Sequence, residues 1–199
     1  MPTHSSITDP YLHEPKGVSL ASDGMVYMAN GSGSGEWKYL ADGWGYYQHS
    51  STGQVINTTA SKLVIDGSGS LSYSGKLPRE IRGSEELWDS TNNLITPIRL
   101  HDSYQARIDI PVTAEATSPT QLNIEFDIGG GVSPSIVIFE RFFALGKSTP
   151  YTISFDTSLV SLTSTTQSNG IGMFCSTDTG SITLGSPGIT ITRTSSGEF

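Results

Sequence analysis

Two carboxylates on one predicted strand come nearest to catalytic chemistry in this chain. Glu125 and Asp127 stand two residues apart in a run that alternates apolar and polar side chains. Both therefore point to one face, about 7 Å apart. Glycoside hydrolysis uses an acid and a second carboxylate at comparable spacing. The other face of the same strand carries Leu122, Ile124, Phe126 and Ile128, so the pair is expected on a solvated strand face. A small carbohydrate-active enzyme is accordingly the third reading, and the chain is expected not to be an enzyme.

The remaining candidates are weaker. His4, His13, His49 and His101 are isolated, and none forms a His-x-His or His-Glu-x-x-His pair, so no metal site is expected. His101-Asp102 precedes a strand and reads as a turn. Asp89, Asn92 and Asn93 offer oxygens in a loop, without the spacing of a calcium loop. Gly129-Gly130-Gly131 is not followed by Lys-Ser/Thr and a helix, and reads as a hairpin turn rather than a phosphate cradle. Neither Gly31-Ser32-Gly33-Ser34-Gly35 nor Gly67-Ser68-Gly69 has the flanks of a nucleophile elbow. Cys175 is the one cysteine, so no intrachain disulfide forms; it is expected as a small buried hydrophobe in a chain made in a cytoplasm. No cofactor is expected. Trp37, Trp44, Tyr46 and Tyr47 offer flat rings that could stack on sugars, although packing in a core or interface is the commoner use of such residues.

A net charge of -8 and a pI near 4.8 argue against nucleic acid as a partner. No apolar run is long enough to cross a bilayer, and no basic-then-apolar leader precedes the first residues, so neither a membrane nor a secretory route is expected. The hydrophobic share of 35% is lean for a globular domain. It suits a β protein with many turns, or one that completes its core by self-association.

The elements that position these residues read as an arm and a head. Residues 1–48 are too rich in Gly and Pro for a helix and too poor in apolar residues for a core, yet carry spaced anchors. Met25–Ala29 and 36–40 are candidates to pair across the Gly/Ser spacer. Trp44, Tyr46 and Tyr47, with Gly43 and Gly45, mark a hinge. Residues 49–199 read as an all-β head. Strands are expected at 54–58, 62–66, 70–74, 103–113, 121–128, 135–144, 151–155, 170–175, 181–184 and 188–194. Within 103–113, Tyr104, Ala106, Ile108, Ile110 and Val112 share one face. The run 135–144 is more continuously apolar and is expected to be covered on both faces. One or two helical turns are expected around 80–88, and a polar loop over 158–169. Varied turn lengths favour a jelly-roll-like β-sandwich.

The string Asp9-Pro10-Tyr11-Leu12-His13-Glu14-Pro15-Lys16-Gly17-Val18, followed by Asp23-Gly24-Met25-Val26-Tyr27-Met28-Ala29-Asn30 and the run to Trp37, resembles the leader of virion structural proteins of tailed bacteriophages, of the capsid decoration or head-fibre type. The later part, from Gln121 onward, looks like the jelly-roll or tumour-necrosis-factor-like heads carried by such proteins. The resemblance implies a non-enzymatic cement protein on the outer capsid surface. Its arm would dock on the major capsid protein and its β head would form a homotrimer. The docking residues would be Asp9, Pro10, Tyr11, Leu12, His13, Glu14, Pro15, Lys16, Val18, Tyr27 and Trp37. Pro10 and Pro15 stiffen the arm and reduce the entropy lost on docking. The alternative is a tail fibre or receptor-binding protein whose head recognises host surface glycan.

Overall fold

The computed structural model of the chain describes residues 19, 21–22, 25–29, 35–39, 43–113, 121–128, 131, 133–146 and 150–196. Contacts divide the chain into two units, Met1–Leu40 and Ala41–Phe199. The division falls earlier than the expected boundary at 48/49, because Trp44–Gln48 is a strand of the larger unit.

The smaller unit holds one antiparallel hairpin, β1 (Met25–Ala29) and β2 (Gly35–Tyr39), in the expected pairing across the Gly/Ser spacer. Tyr27 and Trp37 are register partners. Their rings meet edge to face with centroids 5.3 Å apart. Gly35 is required beneath them, since a Cβ there would lie 2.6 Å from the Tyr27 ring.

In the larger unit, alternation of side chains does what a buried sheet face demands. The strands are β3 (Trp44–Gln48), β4 (Val55–Asn57), β5 (Ser61–Lys62), β6 (Tyr73–Lys76), β7 (Trp88–Asp89), β8 (Leu94–Ile95) and β9 (Ser103–Thr113). They continue with β10 (Gln121–Ile128), β11 (Val137–Ala144), β12 (Tyr151–Val160), β13 (Ile171–Thr177), β14 (Ser181–Leu184) and β15 (Gly188–Ser195). One sheet runs β11-β10-β13-β8-β7, with β5 also on β13; the other runs β4-β14-β9-β15-β3-β6, with β12 also on β9. The core between them takes Ile108 and Ile110 from β9, Phe155 from β12 and Ile191 from β15 on one side, and Leu122, Ile124 and Phe126 from β10 and Met173 from β13 on the other. Phe126 and Phe155 meet edge to face across the layers at 6.3 Å. This is an all-β, jelly-roll-like sandwich.

Two expectations fail and one holds only in part, each for a local reason. No continuous helix forms over 80–88, where single turns are closed by the Arg82 N–H on Pro78 O at 3.1 Å and the Glu85 N–H on Ile81 O at 2.9 Å. Gly83 adopts φ +85°, and Trp88 is drawn into the core, where its indole N–H donates to Ile65 O at 2.7 Å. A helix appears instead inside 158–169: α1 (Ser164–Asn169) is capped by Thr163 Oγ1, which accepts the Thr166 N–H at 3.1 Å, and ends at Gly170 with φ +73°. The start of that supposed loop is the end of β12. Third, β11 is an edge strand of its sheet and is not covered on both faces. Phe139 and Phe143 pack on the core, while Val137 and Phe142 are exposed.

A buried charge cluster closes one end of the sandwich. Arg193 sits on β15 in phase with Ile189 and Ile191, so its side chain points inward and is 2% exposed. Its Nη2 donates to Asp102 Oδ1 at 3.2 Å and to Ser196 Oγ at 2.9 Å, and its Nη1 donates to Glu80. Arg193 Nε lies 3.0 Å from Asp102 Oδ2 but out of line for a hydrogen bond, so that contact is Coulombic. Asp102 Oδ2 also accepts the Tyr104 hydroxyl at 2.8 Å and the Arg99 N–H at 3.1 Å. Glu80 pairs with Arg99 at 3.0 Å. Replacing Arg193 by Met removes the buried cation that Asp102 and Glu80 share, while Glu80 keeps its pair with Arg99. Urea unfolding of R193M is expected to show a loss of about 3–5 kcal/mol; a loss within experimental error would show that the cluster adds nothing.

Candidate functional site

Of the anticipated docking residues, Asp9, Pro10, Tyr11, Leu12, His13, Glu14, Pro15, Lys16 and Val18 lie outside the described residues. Tyr27 and Trp37 are brought together on the hairpin, with Tyr27 exposed.

The candidates for catalysis are not brought together. Asp127 keeps the parity of Glu125, since β10 stays in unbroken register with β13 from Leu122 to Ile128, but it is fully buried. Asp127 accepts the N–H groups of Ser135, at 2.6 Å, and Ile136, and so pins the turn into β11. Glu125 remains on the outer face, where Asn123 Nδ2 bridges it at 2.9 Å to Glu140 at 2.8 Å. The two carboxylates thus share a strand face, as expected, but serve separate structural tasks, and Asp127 is covered by the turn before β11 rather than solvated. His101 is a turn residue with φ +67°, and its neighbour Asp102 faces Arg193. Asp89 closes its loop by accepting Thr91 and Asn92 N–H groups at 2.9 and 3.0 Å. Cys175 is buried on β13, and burial pushes its thiol up to about 12. Among the described residues no group of His, Cys, Asp and Glu is arranged to hold a metal ion.

The aromatic cluster separates by strand parity. Tyr47 points into the sandwich, donates its hydroxyl to Glu86 at 2.8 Å and accepts the Leu87 N–H at 3.1 Å. Trp44 and Tyr46 lie on the opposite, outer face of the seven-stranded sheet. There they meet Tyr73 of β6, a residue the sequence reading passed over. Tyr46 and Tyr73 are register partners, and the Trp44 and Tyr73 rings pack at 5.5 Å with a 40° tilt. Tyr46 carries a raised hydroxyl pKa, first through burial and then through the charge of Asp109.

Beside these rings a cleft of about 290 Å³ opens between Tyr46, Tyr73, Ser74, Glu86, Asp66 and Ser90. Asp66 fixes its rim. The Ser50 N–H reaches Asp66 Oδ1 at 2.8 Å, the Ser68 N–H reaches the same oxygen at 3.0 Å, and the Ser50 hydroxyl donates to Oδ2. His49 Nδ1 lies 3.3 Å away. Desolvation opposes ionisation here, but the hydrogen bonds from Ser50 and Ser68 outweigh it and hold the carboxyl at about 2.

No protein-family model matches the chain, and no curated protein matches it. Solved structures with a similar chain path include Eiger TNF from S. frugiperda, at TM-score 0.49 and 9% identity, covering 80% of this chain and 96% of that one. PRD1 vertex protein P5 aligns at TM-score 0.42 and 13% identity, over 86% of this chain and 83% of that one. Tobacco streak virus coat protein aligns at 0.34 and 12%, over 80% and 94%. At these scores the likeness is one of chain path and carries no functional argument.

The depressed Asp66 pKa sets an acid limb. A carboxyl whose folded pKa lies below its unfolded value stabilises the fold above the unfolded value, and that stability is lost as pH falls through the folded one. The window here runs from near the model-peptide value of 3.8 down to about 2. Thermal melts of D66N are expected to show a shallower loss of Tm across that window than the parent; identical slopes would show that Asp66 is not anchored as described.

Proposed function

We propose that the chain is a non-enzymatic bacteriophage virion protein, a capsid decoration protein whose N-terminal segment docks on the major capsid protein while the β-sandwich stands on the outer surface. The observation that carries this reading is the division at Leu40/Ala41. Every core residue among the described ones lies at Tyr47 or beyond, so the sandwich core is built without the described residues of the N-terminal unit. The leader string that resembles those of tailed-phage virion proteins falls within that unit. Made in the host cytoplasm, the protein would be carried on the virion.

The reading includes a homotrimer, and the edge at β11 supports self-association. Val137, Ile138 and Phe142 on or beside this edge are exposed, as are Val160 and Leu162 at the end of β12. Ile138, Phe139, Leu159, Val160 and Leu162 line a largely apolar groove of about 320 Å³. Exposed apolar side chains grouped on an unpaired strand edge are what an interface between copies would cover.

Two measurements test the reading. Deleting residues 1–20 is expected to leave a folded head that no longer co-sediments with capsids; a truncated protein that still decorates them overturns the docking assignment. Placing charges in the groove, with Ile138→Glu and Leu162→Glu together, is expected to convert the oligomer to monomer in analytical ultracentrifugation. An unchanged mass would place the contact elsewhere.

A further inference from the structure

The outer face of the seven-stranded sheet has the chemistry of a carbohydrate-binding platform, and it belongs to a different sheet from β11. We infer that Trp44, Tyr46 and Tyr73, together with the polar row beside them, bind a neutral oligosaccharide. The inference goes beyond the capsid reading and holds wherever the N-terminal segment attaches.

The first observation is that the rings are laid down on the sheet. The phenol end of Tyr46 occupies the space that a Cβ at Gly188 would take. Tyr73 does the same over Gly75, where a Cβ would lie 2.7 Å from its hydroxyl oxygen. Glycine at these two positions lets each ring recline across the backbone instead of standing off it. Trp44 then packs beside Tyr73 at 5.5 Å. Trp44 is 38% and Tyr73 47% exposed, so large aromatic faces are left to solvent although the core lies one sheet away. A side chain whose only task is to fill volume is not left in this position.

The second observation is the row that continues from the rings. Reading across the sheet, Tyr46 is followed by Thr190, Arg107 and Asp156 in register. One row over, Gly188 is followed by Asp109 and Ser154. Arg107 lies 3.4 Å from Asp109 through both Nε and Nη2, and Ser154 Oγ donates to Asp109 at 2.5 Å. The row therefore holds a guanidinium, carboxylates and hydroxyls already oriented by one another, with the charge of Arg107 compensated locally. Such a row offers donors and acceptors without calling for a charged ligand.

These two features fit one ligand class. A pyranose presents a face of C–H bonds that sits on the electron-rich face of an aromatic ring, and an edge of hydroxyls that both donate and accept. A charged polymer fits less well: the chain carries a net charge of -8, which repels nucleic acid and other polyanions. The cleft of about 290 Å³ shares Tyr46 and Tyr73 with the platform and adds the carboxylate of Glu86, one oxygen of which is held by Tyr47. That volume is at the small end for ligand pockets and suits a single sugar ring at the end of a longer chain.

The test uses the full-length protein and saturation-transfer NMR with four probes: cellohexaose, maltohexaose, chitohexaose and mannohexaose. A proline-rich peptide is run alongside, because such peptides also favour aromatic strips. The expected result is transfer to the ring C–H protons of at least one oligosaccharide. Trp44→Ala and Tyr73→Ala should each weaken that binding by about tenfold, equivalent to about 1.4 kcal/mol. Gly75→Ala should weaken it too, since it keeps the Tyr73 ring but lifts it from the sheet. Thr165→Ala, on the exposed side of α1, should bind as the parent does. Thermal melts confirm that each variant is folded, and Tyr73→Phe, which keeps the ring, serves as the conservative check and should retain binding. The inference is overturned if no oligosaccharide shows transfer at millimolar concentration, if only the peptide does, or if folded Trp44→Ala and Tyr73→Ala bind as well as the parent.

Discussion

Arg193 is the constraint around which one end of the sandwich is arranged. Its guanidinium is buried on the inward phase of β15, and desolvating a cation is unfavourable by several kcal/mol unless partners meet it. Two of those partners come from far along the chain, Glu80 from the turn that follows β6 and Asp102 from the turn before β9; the third, Ser196, lies three residues on, just past β15. Asp102 in turn fixes Tyr104 at 2.8 Å and the Arg99 backbone at 3.1 Å, and the Ile98 N–H reaches the Tyr104 hydroxyl at 2.7 Å. A single buried cation thus dictates where two connections run. A hydrophobic residue at 193 would fill the space without specifying either of them.

The strands were legible wherever alternation was unbroken. Tyr104, Ala106, Ile108, Ile110 and Val112 alternate over the whole length of β9, and the structure buries every one. The same holds for Leu122, Ile124 and Phe126 on β10. The signal failed where two demands competed. Residues 80–88 carry helix-compatible side chains, but Gly83 and the pull of Leu87 and Trp88 into the core limit them to single turns. The helix at 164–169 was written in its caps, Thr163 and Gly170, and was hidden by a Ser/Thr-rich composition that favours loops. Arg193 was equally legible in principle. It follows Ile189 and Ile191 in the same parity, and a charged residue in an inward phase signals a buried partner set.

The site was legible only by residue type. Trp44, Tyr46 and Tyr47 stood out as a group, yet parity alone separates them: Tyr47 turns inward to Glu86, while the other two face outward. Tyr73 joins them through a register that only the folded sheet defines. Glu125 and Asp127 make the opposite case. Their spacing promised a solvated pair, and the face is shared, but the turn before β11 folds over Asp127 and takes up its carboxylate. Spacing along a strand predicts a shared face, but the turns that cross that face decide which of its residues meet solvent.

Glycine supplies the link between the sheet and its outer aromatics. In an interior strand position glycine weakens a sheet, because it gives up side-chain packing and loses more entropy on ordering. Here Tyr27 covers Gly35, Tyr73 covers Gly75 and Tyr46 covers Gly188, and each ring returns contact that the missing side chain would have made. The same arrangement lowers the rings onto the backbone and leaves their outer faces open. A ring held in this way has already lost its rotameric freedom, so a ligand that stacks on it orders little further. Strand stability and a preformed flat surface therefore come from the same glycine–tyrosine pairs, and changing either member alters both.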